Sequence, residues 1–401
     1  MVPILLELIS SSYVLIAIAL IILVGYLGLA IFRRTKIPEV LILMLIGILI
    51  ARAGNLFSAA TIGTLRSFAP LFGSIALVVI MFNGSKKLKL DNKFMTNWKG
   101  IALGILDTVL AAAALALLMH YVFNWPFVYG AIMGAILGET TSIVVMPLIN
   151  RINIEEDMHD TLFMETAINS VLAILMFSIL LILLNSQAVS IFSSASYILD
   201  YLGVSVLIGI AAGIIWIYVM SSVKIARDYL AAIAVAFLLY GFVDIFNGAA
   251  IISVLIFGMF IGNYNILAGI FKLNTKVRKK GEKSVENGFE FIITTFFFVF
   301  MGMIVVLSPR YLAYGVVITA VLLVLRYLQS VTVLHKDTEA EQGLFFALSP
   351  RGVTVATLAS ILYGLGGLYF TQTFYISFMV IVLTSIISSI LLTRVKFDVK
   401  K

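Results

Sequence analysis

A short polar block interrupts one of the apolar stretches of this sequence and carries the residue types best suited to chemistry. It reads Gly138-Glu139-Thr140-Thr141-Ser142, so one carboxylate is followed by three hydroxyl groups. A second polar pair, Asn169-Ser170, lies within the next apolar stretch. Carboxylate, hydroxyl and amide oxygens are the ligands that hard cations prefer. Burial disfavours the charged form of a carboxylate, so a proton and a metal cation would compete for Glu139.

Two charged residues in other apolar stretches fall at the same depth if those stretches span a membrane. A helix rises about 1.5 Å per residue, which places Glu165 about 9 Å from one edge of the bilayer core and Arg326 at the same level. A charge at the centre of a membrane helix costs about 2.5–3.5 kcal/mol, so opposite charges at equal depth should be partners. We therefore predict a structural Glu165–Arg326 ion pair. Asp107 is a further buried acid, and its role stays open.

The segment Ser349-Pro350-Arg351-Gly352 forms a second interruption. Proline removes a backbone donor and glycine loosens the chain, so the helix is expected to break there. Arg351 lies about 14 Å deep and Glu139 about 18 Å deep, so both approach the midplane. Two interpretations of Glu139 have equal support: it binds the cation and the proton, or it neutralises Arg351 or the N-terminus of a half-helix.

The chain that positions these residues is too apolar for a soluble enzyme. Of 401 residues, 62% are hydrophobic and 12% are charged, and the mean hydropathy is +1.13. Because a membrane helix needs about 20 apolar residues, we predict an all-α polytopic membrane protein with about 13 transmembrane helices and no soluble domain. The predicted spans are 11–32, 38–52, 67–84, 98–122, 127–150, 159–184, 197–221, 228–246, 248–270, 288–308, 310–333, 342–366 and 372–394.

The two interruptions fall in spans 5 and 12, about half a chain apart. This spacing predicts, within one membrane domain over 1–401, two inverted six-helix repeats at roughly 11–184 and 228–394. Residues 197–221 would then be a linker helix, and the discontinuous helices 5 and 12 would cross at the midplane, as in secondary transporters. The alternative is that the Ser, Thr and Gly residues only allow close helix packing. The charges in both interruptions favour the first interpretation.

The distribution of basic residues predicts the orientation. Loops after odd-numbered spans and the C-terminal tail hold 22 of the 27 Lys and Arg residues, whereas loops after even-numbered spans hold only Arg52, Arg66 and Arg310. The positive-inside rule then puts the N-terminus outside and the C-terminus in the cytoplasm of a multi-pass protein of the cell membrane. Contact with the lipid bilayer explains the basic loops, so the net charge of +7 requires no nucleic-acid partner.

Several classes of protein are disfavoured by what the sequence lacks. It has no cysteine and only three histidines, which makes a disulfide scaffold or a transition-metal site improbable. No nucleophile and base are arranged as in an enzyme, because Ser349 has no histidine at its depth. We therefore expect neither an enzyme nor a cofactor.

These features resemble the monovalent cation:proton antiporters, specifically the NhaP/NHE branch of sodium/hydrogen exchangers. The resemblance covers nearly the whole chain. Thr140 matches the first residue of a Thr-Asp-Pro triplet in span 5, and Glu165-Thr166-Ala167-Ile168-Asn169 matches a Glu-x-x-x-Asn-Asp segment in span 6. Arg326 matches an arginine that pairs with that glutamate, and Ser349-Pro350-Arg351-Gly352 matches an Arg-Gly segment in span 12. Leu106-Asp107-Thr108 also occurs in some relatives.

The resemblance implies a homodimer, with a dimerisation domain and a mobile core domain, that exchanges Na⁺ or K⁺ for protons. Two aspartates of the family are replaced, however, by Thr141 and Ser170. The leading hypothesis is exchange through a rearranged site, electroneutral if Glu139 acts alone. The residues predicted to bind the ion or proton are Glu139, Thr140, Thr141, Ser142, Asn169 and Ser170.

Two alternatives stay open. The fold would carry an anion or another solute if Arg351 and the half-helix N-termini bound it. Alternatively, the chain would be a non-transporting homologue that has lost exchange along with the two aspartates. The solute that stabilises the purified protein, if any does, distinguishes these cases.

Overall fold

The helices of this protein are seen in a computed structural model. It describes residues 19–23, 25–28, 30, 39–52, 65–88, 96–141, 145, 154–185, 191–222, 229–246, 248–273 and 282–394. Within these residues every regular element is a helix, and fourteen helices have defined bounds. They are α1 (Glu39–Arg52), α2 (Ala69–Lys86), α3 (Trp98–Tyr121), α4 (Phe127–Leu137), α5 (Glu156–Asn185), α6 (Ile191–Ser222), α7 (Tyr229–Ile245), α8 (Ala250–Gly262), α9 (Tyr264–Ile270), α10 (Glu282–Ile304), α11 (Pro309–Val333), α12 (Glu339–Ala347), α13 (Val353–Leu365) and α14 (Leu368–Arg394).

The all-α membrane fold predicted from the sequence is confirmed. Each predicted span overlaps helical residues, the first of them at the short apolar helix Ala19–Gly28. Seven of the described helices are long and apolar enough to cross a membrane, and α8 and α9 together would be an eighth. The number of thirteen crossings stays a prediction, as does the division into repeats at 11–184 and 228–394 around a linker at 197–221.

Span 9 contains a further bend, at a position where the sequence indicates no interruption. That span is divided into α8 and α9, whose axes differ by 78°. Asn263 lies at the bend, and its side-chain amide donates to the carbonyl oxygen of Leu88 at 2.7 Å and to that of Met259 at 2.8 Å. A neighbouring chain segment therefore binds the polar side chain at the bend, which no periodicity in the sequence reveals.

The helices pack in two groups. In the first, α3 lies against α4, α5 and α11, and α14 packs against α11. In the second, α2 packs against α8 and α10, α10 lies on α1, and α8 lies on α6. Helix α13 packs on both α2 and α14, so the second half of span 12 joins the groups. The segments that carry the predicted site residues lie mainly in the first group.

Local signals in the sequence fix where two of these helices begin. The side chain of Asn97 accepts a hydrogen bond from the backbone N–H of Gly100 at 2.9 Å, which caps α3. Thr338 and Glu341 form a reciprocal capping box at the start of α12, with bonds of 3.1 and 3.3 Å. These caps set the register of the helix that carries Asp107 and of the half-helix that leads into the second interruption.

Candidate functional site

The interruptions in spans 5 and 12 meet. Helix α4 ends at Leu137, and α12 and α13 are separated by residues 348–352. Pro350 has no N–H with which to continue α12. Its carbonyl oxygen instead accepts a hydrogen bond from the backbone N–H of Thr141 at 3.1 Å. The predicted discontinuity of both helices is therefore confirmed, and the two unwound segments cross in direct contact.

Gly352 allows this close approach. A Cβ atom at this position would lie 2.6 Å from the Cβ of Thr141 and 2.7 Å from its methyl and hydroxyl groups. Contacts of that length are repulsive, and the neighbouring atoms belong to a short, branched side chain with little room to move. The glycine of the second interruption is therefore required by packing against the first.

We expect Gly352→Ala to destabilise the protein by about 1–3 kcal/mol, because the added methyl group overpacks the crossing. The thermal midpoint of the purified protein in detergent would fall accordingly. Gly343→Ala in α12 is the matched control, since a Cβ atom there meets nothing within 4 Å. Equal midpoints for the two variants would contradict the crossing geometry.

Arg326 of α11 holds two buried acids together. Its Nη1 atom lies 2.9 Å from Glu165 Oε1 and also donates to Asp107 Oδ2. All three side chains are at most 3% exposed. The structure thus brings Glu165 and Arg326 together and adds Asp107, which the sequence left without a partner. Lys99, two turns before Asp107 in α3, contacts Asp337 at 2.7 Å.

The same guanidinium caps the carboxyl end of α12. Arg326 Nε donates to the Phe345 carbonyl oxygen at 3.2 Å, and Nη2 donates to the Leu348 carbonyl oxygen at 3.0 Å. The Cζ atom lies 3.6 Å from the centroid of the Phe345 ring. Carbonyl groups at a helix end lack intrahelical partners and carry partial negative charge, so a buried guanidinium stabilises the broken end.

Arg351 caps the carboxyl end of α4 in the same way. Its Nη1 donates to the carbonyl oxygen of Gly138, at the carboxyl end of that helix, at 2.9 Å. Its backbone N–H donates to the Thr384 hydroxyl of α14 at 3.1 Å. Each half-helix therefore ends against a guanidinium group. The charges of Arg351 and Glu139 also attract each other across the crossing, so the interpretation in which Glu139 neutralises Arg351 stays open.

An amide and a hydroxyl group connect the buried acids to the first interruption. Asn169 Nδ2 donates to Gly138 O at 3.1 Å and to Asp107 Oδ2 at 3.2 Å. The Thr140 hydroxyl donates to Glu165 Oε1 at 2.7 Å. Asn169 and Thr140, both predicted to bind the ion or proton, thus hold the acids that surround Arg326.

Glu139 lies outside this network. Its side chain is buried, with 1% of its surface exposed. Oε1 accepts a hydrogen bond from the Ser170 hydroxyl at 2.9 Å, and Oε2 has no hydrogen bond of normal geometry, although the Thr354 hydroxyl of α13 also interacts with this carboxylate. Among the described residues, no basic nitrogen lies within 4.0 Å of this carboxylate. Glu139 therefore has a carboxylate oxygen free for a ligand. The Oε2 atom of Glu165 also lacks a hydrogen-bond partner, but the charge of that acid is balanced by its ion pair with Arg326.

Thr141 and Ser142 are the remaining residues that were predicted to bind the ion or proton. Thr141 lies at the crossing and contacts the second interruption through its backbone, whereas Ser142 lies outside the described residues. The sequence did not assign a role to Asp107, which forms an ion pair with Arg326. A signal for it existed, since Asp107 lies nine residues into span 4 and thus about 14 Å deep, close to the other buried charges.

Comparisons with known proteins identify the family of this chain. A family model described as "Sodium/hydrogen exchanger, transmembrane" matches residues 18–397. The chain belongs to this family. The family consists of membrane transporters, so the predictions of a multi-pass transport protein and of a chain that is not an enzyme are confirmed. The resemblance to cation:proton antiporters stated from the motifs is confirmed as well.

Three relatives of this exchanger-family chain illustrate the similarity. The K(+)/H(+) antiporter NhaP2 of Shewanella oneidensis is 25% identical over 260 residues, which are 63% of this chain and 44% of that protein. The probable Na(+)/H(+) antiporter 2 of Methanocaldococcus jannaschii is 24% identical over 82% of this chain and 80% of that protein. The solved structure of the sodium proton antiporter MjNhaP1 from the same organism, at pH 8, superposes with a TM-score of 0.78 at 20% identity.

The extent of these matches differs. The MjNhaP1 match covers 97% of this chain and 99% of that structure, and it identifies the fold. This chain spans only about half the length of the NhaP2 relative. The family and the fold are therefore established by the comparisons, and the activity has to be argued from the site.

Proposed function

We propose that this protein is a secondary active transporter that exchanges a monovalent cation, Na⁺ or K⁺, for protons, with Glu139 as the shared carboxylate. The observation that carries the proposal is the state of this side chain: it is buried, one oxygen is bound only by a hydroxyl group, and the other has no hydrogen bond of normal geometry. A proton or a dehydrated cation would supply the missing partner. Both would use the same carboxylate, which is the requirement for exchange.

The buried charges at the crossing support a one-for-one exchange. The acids are Asp107, Glu139 and Glu165, and the bases are Arg326 and Arg351, so the group carries one net negative charge when all are ionised. Binding one proton or one monovalent cation neutralises it. The two loaded states then have the same charge, and exchange between them is electroneutral.

The other predicted residues take supporting parts in this proposal. Ser170 donates a hydroxyl oxygen beside Glu139, and Thr141 holds the crossing through its backbone. Thr140 and Asn169 position the acids around Arg326, which keeps Glu139 the acid without a basic partner. We also propose a homodimer in the cell membrane with its N-terminus outside and its C-terminus in the cytoplasm, as the charge distribution of the loops favours.

An anion carrier has less support. Arg326 forms ion pairs with two buried acids, which leaves Arg351 to bind an anionic solute. One nitrogen of Arg351 donates to the Gly138 carbonyl oxygen, and its Nε has no hydrogen-bond partner. A net negative site would repel an anion, however. A non-transporting homologue would not need a buried carboxylate oxygen without a partner, because such an oxygen is costly unless a ligand uses it.

Purified protein in liposomes with an imposed pH gradient tests the proposal. Addition of Na⁺ or K⁺ is expected to dissipate the gradient, followed by a pH-sensitive dye, whereas choline is not. No response to either alkali cation would exclude the proposed exchange. Stabilisation of the purified protein by an anion instead of a cation would favour the alternative carrier.

The electroneutral stoichiometry gives a separate expected result. The rate of cation-dependent proton movement should be the same whether the membrane potential is set inside-negative or inside-positive with a thiocyanate gradient. Equal rates follow because the two loaded states carry the same charge. A rate that rises with one polarity would mean unequal numbers of protons and cations, and would show that a second buried acid changes its protonation during the cycle.

A further inference from the structure

The Ser170 hydroxyl lies between two acceptors. Its Oγ atom is 2.9 Å from Glu139 Oε1 and 2.9 Å from the carbonyl oxygen of Thr166, one turn earlier in α5. A hydroxyl group has one proton and two lone pairs, so it donates to one of these acceptors at a time. Whichever acceptor receives the proton, the serine oxygen is left free to accept or coordinate on its other side.

This geometry fits both loaded states of the neighbouring acid. With Glu139 protonated, the carboxyl O–H donates to Ser170 Oγ, and the serine proton is directed to Thr166 O. With a cation bound, the cation contacts the Glu139 carboxylate and a Ser170 lone pair, and the serine O–H again donates to Thr166 O. With Glu139 ionised and no ligand bound, Ser170 turns and donates to the carboxylate.

Ser170 also faces a small cavity on the side of α5 away from Thr140. Together with Thr166, Ala167 and Val171 it lines this cavity of about 40 Å³, whose opposite wall is formed by residues within 81–88. A cavity of this size holds a water molecule. Glu139 is not among the residues that line it. A proton or cation that approaches through this cavity therefore meets Ser170 before it meets Glu139.

We infer that Ser170 is a switching ligand: its hydroxyl donates to Glu139 while that carboxylate is ionised and empty, and it turns to Thr166 O when a ligand arrives, so that the same serine oxygen accepts the cation or the carboxyl proton. This inference rests on the proposed function and adds the residue that allows a single carboxylate to serve both ligands. A carboxylate at position 170 would act differently, because it would bring a second charge and accept hydrogen bonds only.

The test compares Ser170→Ala, Ser170→Thr and Ser205→Ala in proteoliposomes. Ser170→Ala removes the ligand, so the KM for Na⁺ and for K⁺ is expected to rise about tenfold, the worth of one hydrogen bond to a charged group. Ionised Glu139 also loses its donor in this variant, so the pH of half-maximal exchange should move upward. Ser170→Thr keeps the hydroxyl and should restore both values.

Ser205→Ala is the matched control. Ser205 is a buried helical serine whose hydroxyl donates to the carbonyl oxygen one turn earlier, at the same 2.9 Å, but away from the crossing. It should leave KM and the pH profile unchanged. Unchanged KM and pH profile in Ser170→Ala, with Glu139→Gln inactive, would overturn the switching ligand and leave the proposed function intact. Full activity of Glu139→Gln would overturn the proposed function itself.

Discussion

Glu139→Gln is expected to reduce cation-dependent dissipation of the pH gradient to the level of liposomes without protein, a loss of at least about 10²-fold. The amide has almost the same shape as the carboxyl group, so packing at the crossing is retained. It cannot bind a proton and release it, and it carries no charge to attract a cation. The measurement is the initial rate of dye dequenching on addition of Na⁺ or K⁺.

Asp244→Asn provides the matched control for this loss. Asp244 is an exposed acid near the end of α7, away from the crossing, and its neutralisation removes the same charge from the protein. We expect wild-type rates from it. If Glu139→Gln kept its exchange rate, this carboxylate would have no part in the mechanism.

A second-site change gives a stronger version of the same test. Glu139→Gln combined with Ser170→Asp moves the carboxylate from the first interruption to the adjacent position on α5. Because Glu139 Oε1 and Ser170 Oγ are only 2.9 Å apart, the new acid would lie close to the original one. We expect measurable exchange to return in the double variant, whereas the variant with glutamine alone stays inactive. Failure of both variants to fold is excluded by comparing their elution and thermal midpoints with those of the control.

Arg326→Met is expected to be the most destabilising single substitution at the site. It leaves the carboxylates of Asp107 and Glu165 buried without their ion-pair partner and frees the carbonyl groups at the end of α12. Removal of one partner from a buried ion pair costs about 3–5 kcal/mol. The free energy of unfolding, measured in mixed micelles, should fall by that amount.

Two further variants separate the charge balance that Arg326 provides from its capping of main-chain carbonyl groups. The triple variant Arg326→Met, Asp107→Asn, Glu165→Gln removes both stranded acids and should recover most of the lost stability. Arg310→Ala, at an exposed arginine near the start of the same helix, should change stability by less than about 0.5 kcal/mol. A triple variant as unstable as the single one would mean that main-chain capping, and not charge balance, is the main contribution of Arg326.

Depth along a helix explains which features could be predicted from the sequence. Counting residues gives the axial position of a side chain, and this was sufficient to bring Glu165 and Arg326 to one level. The interruptions in spans 5 and 12 were indicated by their polar, proline and glycine residues. Residue counting does not give the direction in which a side chain points. For that reason Asp107 had no partner until the packing of α3 against α11 was known.

Besides the direction of side chains, the sequence does not reveal which main-chain groups bind a side chain. The carbonyl oxygens of Gly138, Phe345 and Leu348 accept hydrogen bonds from guanidinium groups. Because every residue type has the same main-chain carbonyl group, the sequence does not indicate which carbonyl groups bind an arginine. The bend at Asn263 has the same origin, because its partner is a carbonyl oxygen of a distant segment. The free carboxylate oxygen of Glu139 likewise follows from where the arginines are bound.

The short distance between Glu139 and Ser170 bears on how active and inactive relatives are told apart. A column-by-column alignment records a serine where an aspartate is expected and scores the position as a loss. In three dimensions, the Oε1 atom of Glu139, in the first interruption, lies 2.9 Å from the hydroxyl oxygen of that serine. A negative charge can thus be supplied at the same place in the fold by an acid at a different position of the sequence. Surveys of such transporters should therefore count acids within a sphere around the crossing before any chain is classed as degenerate.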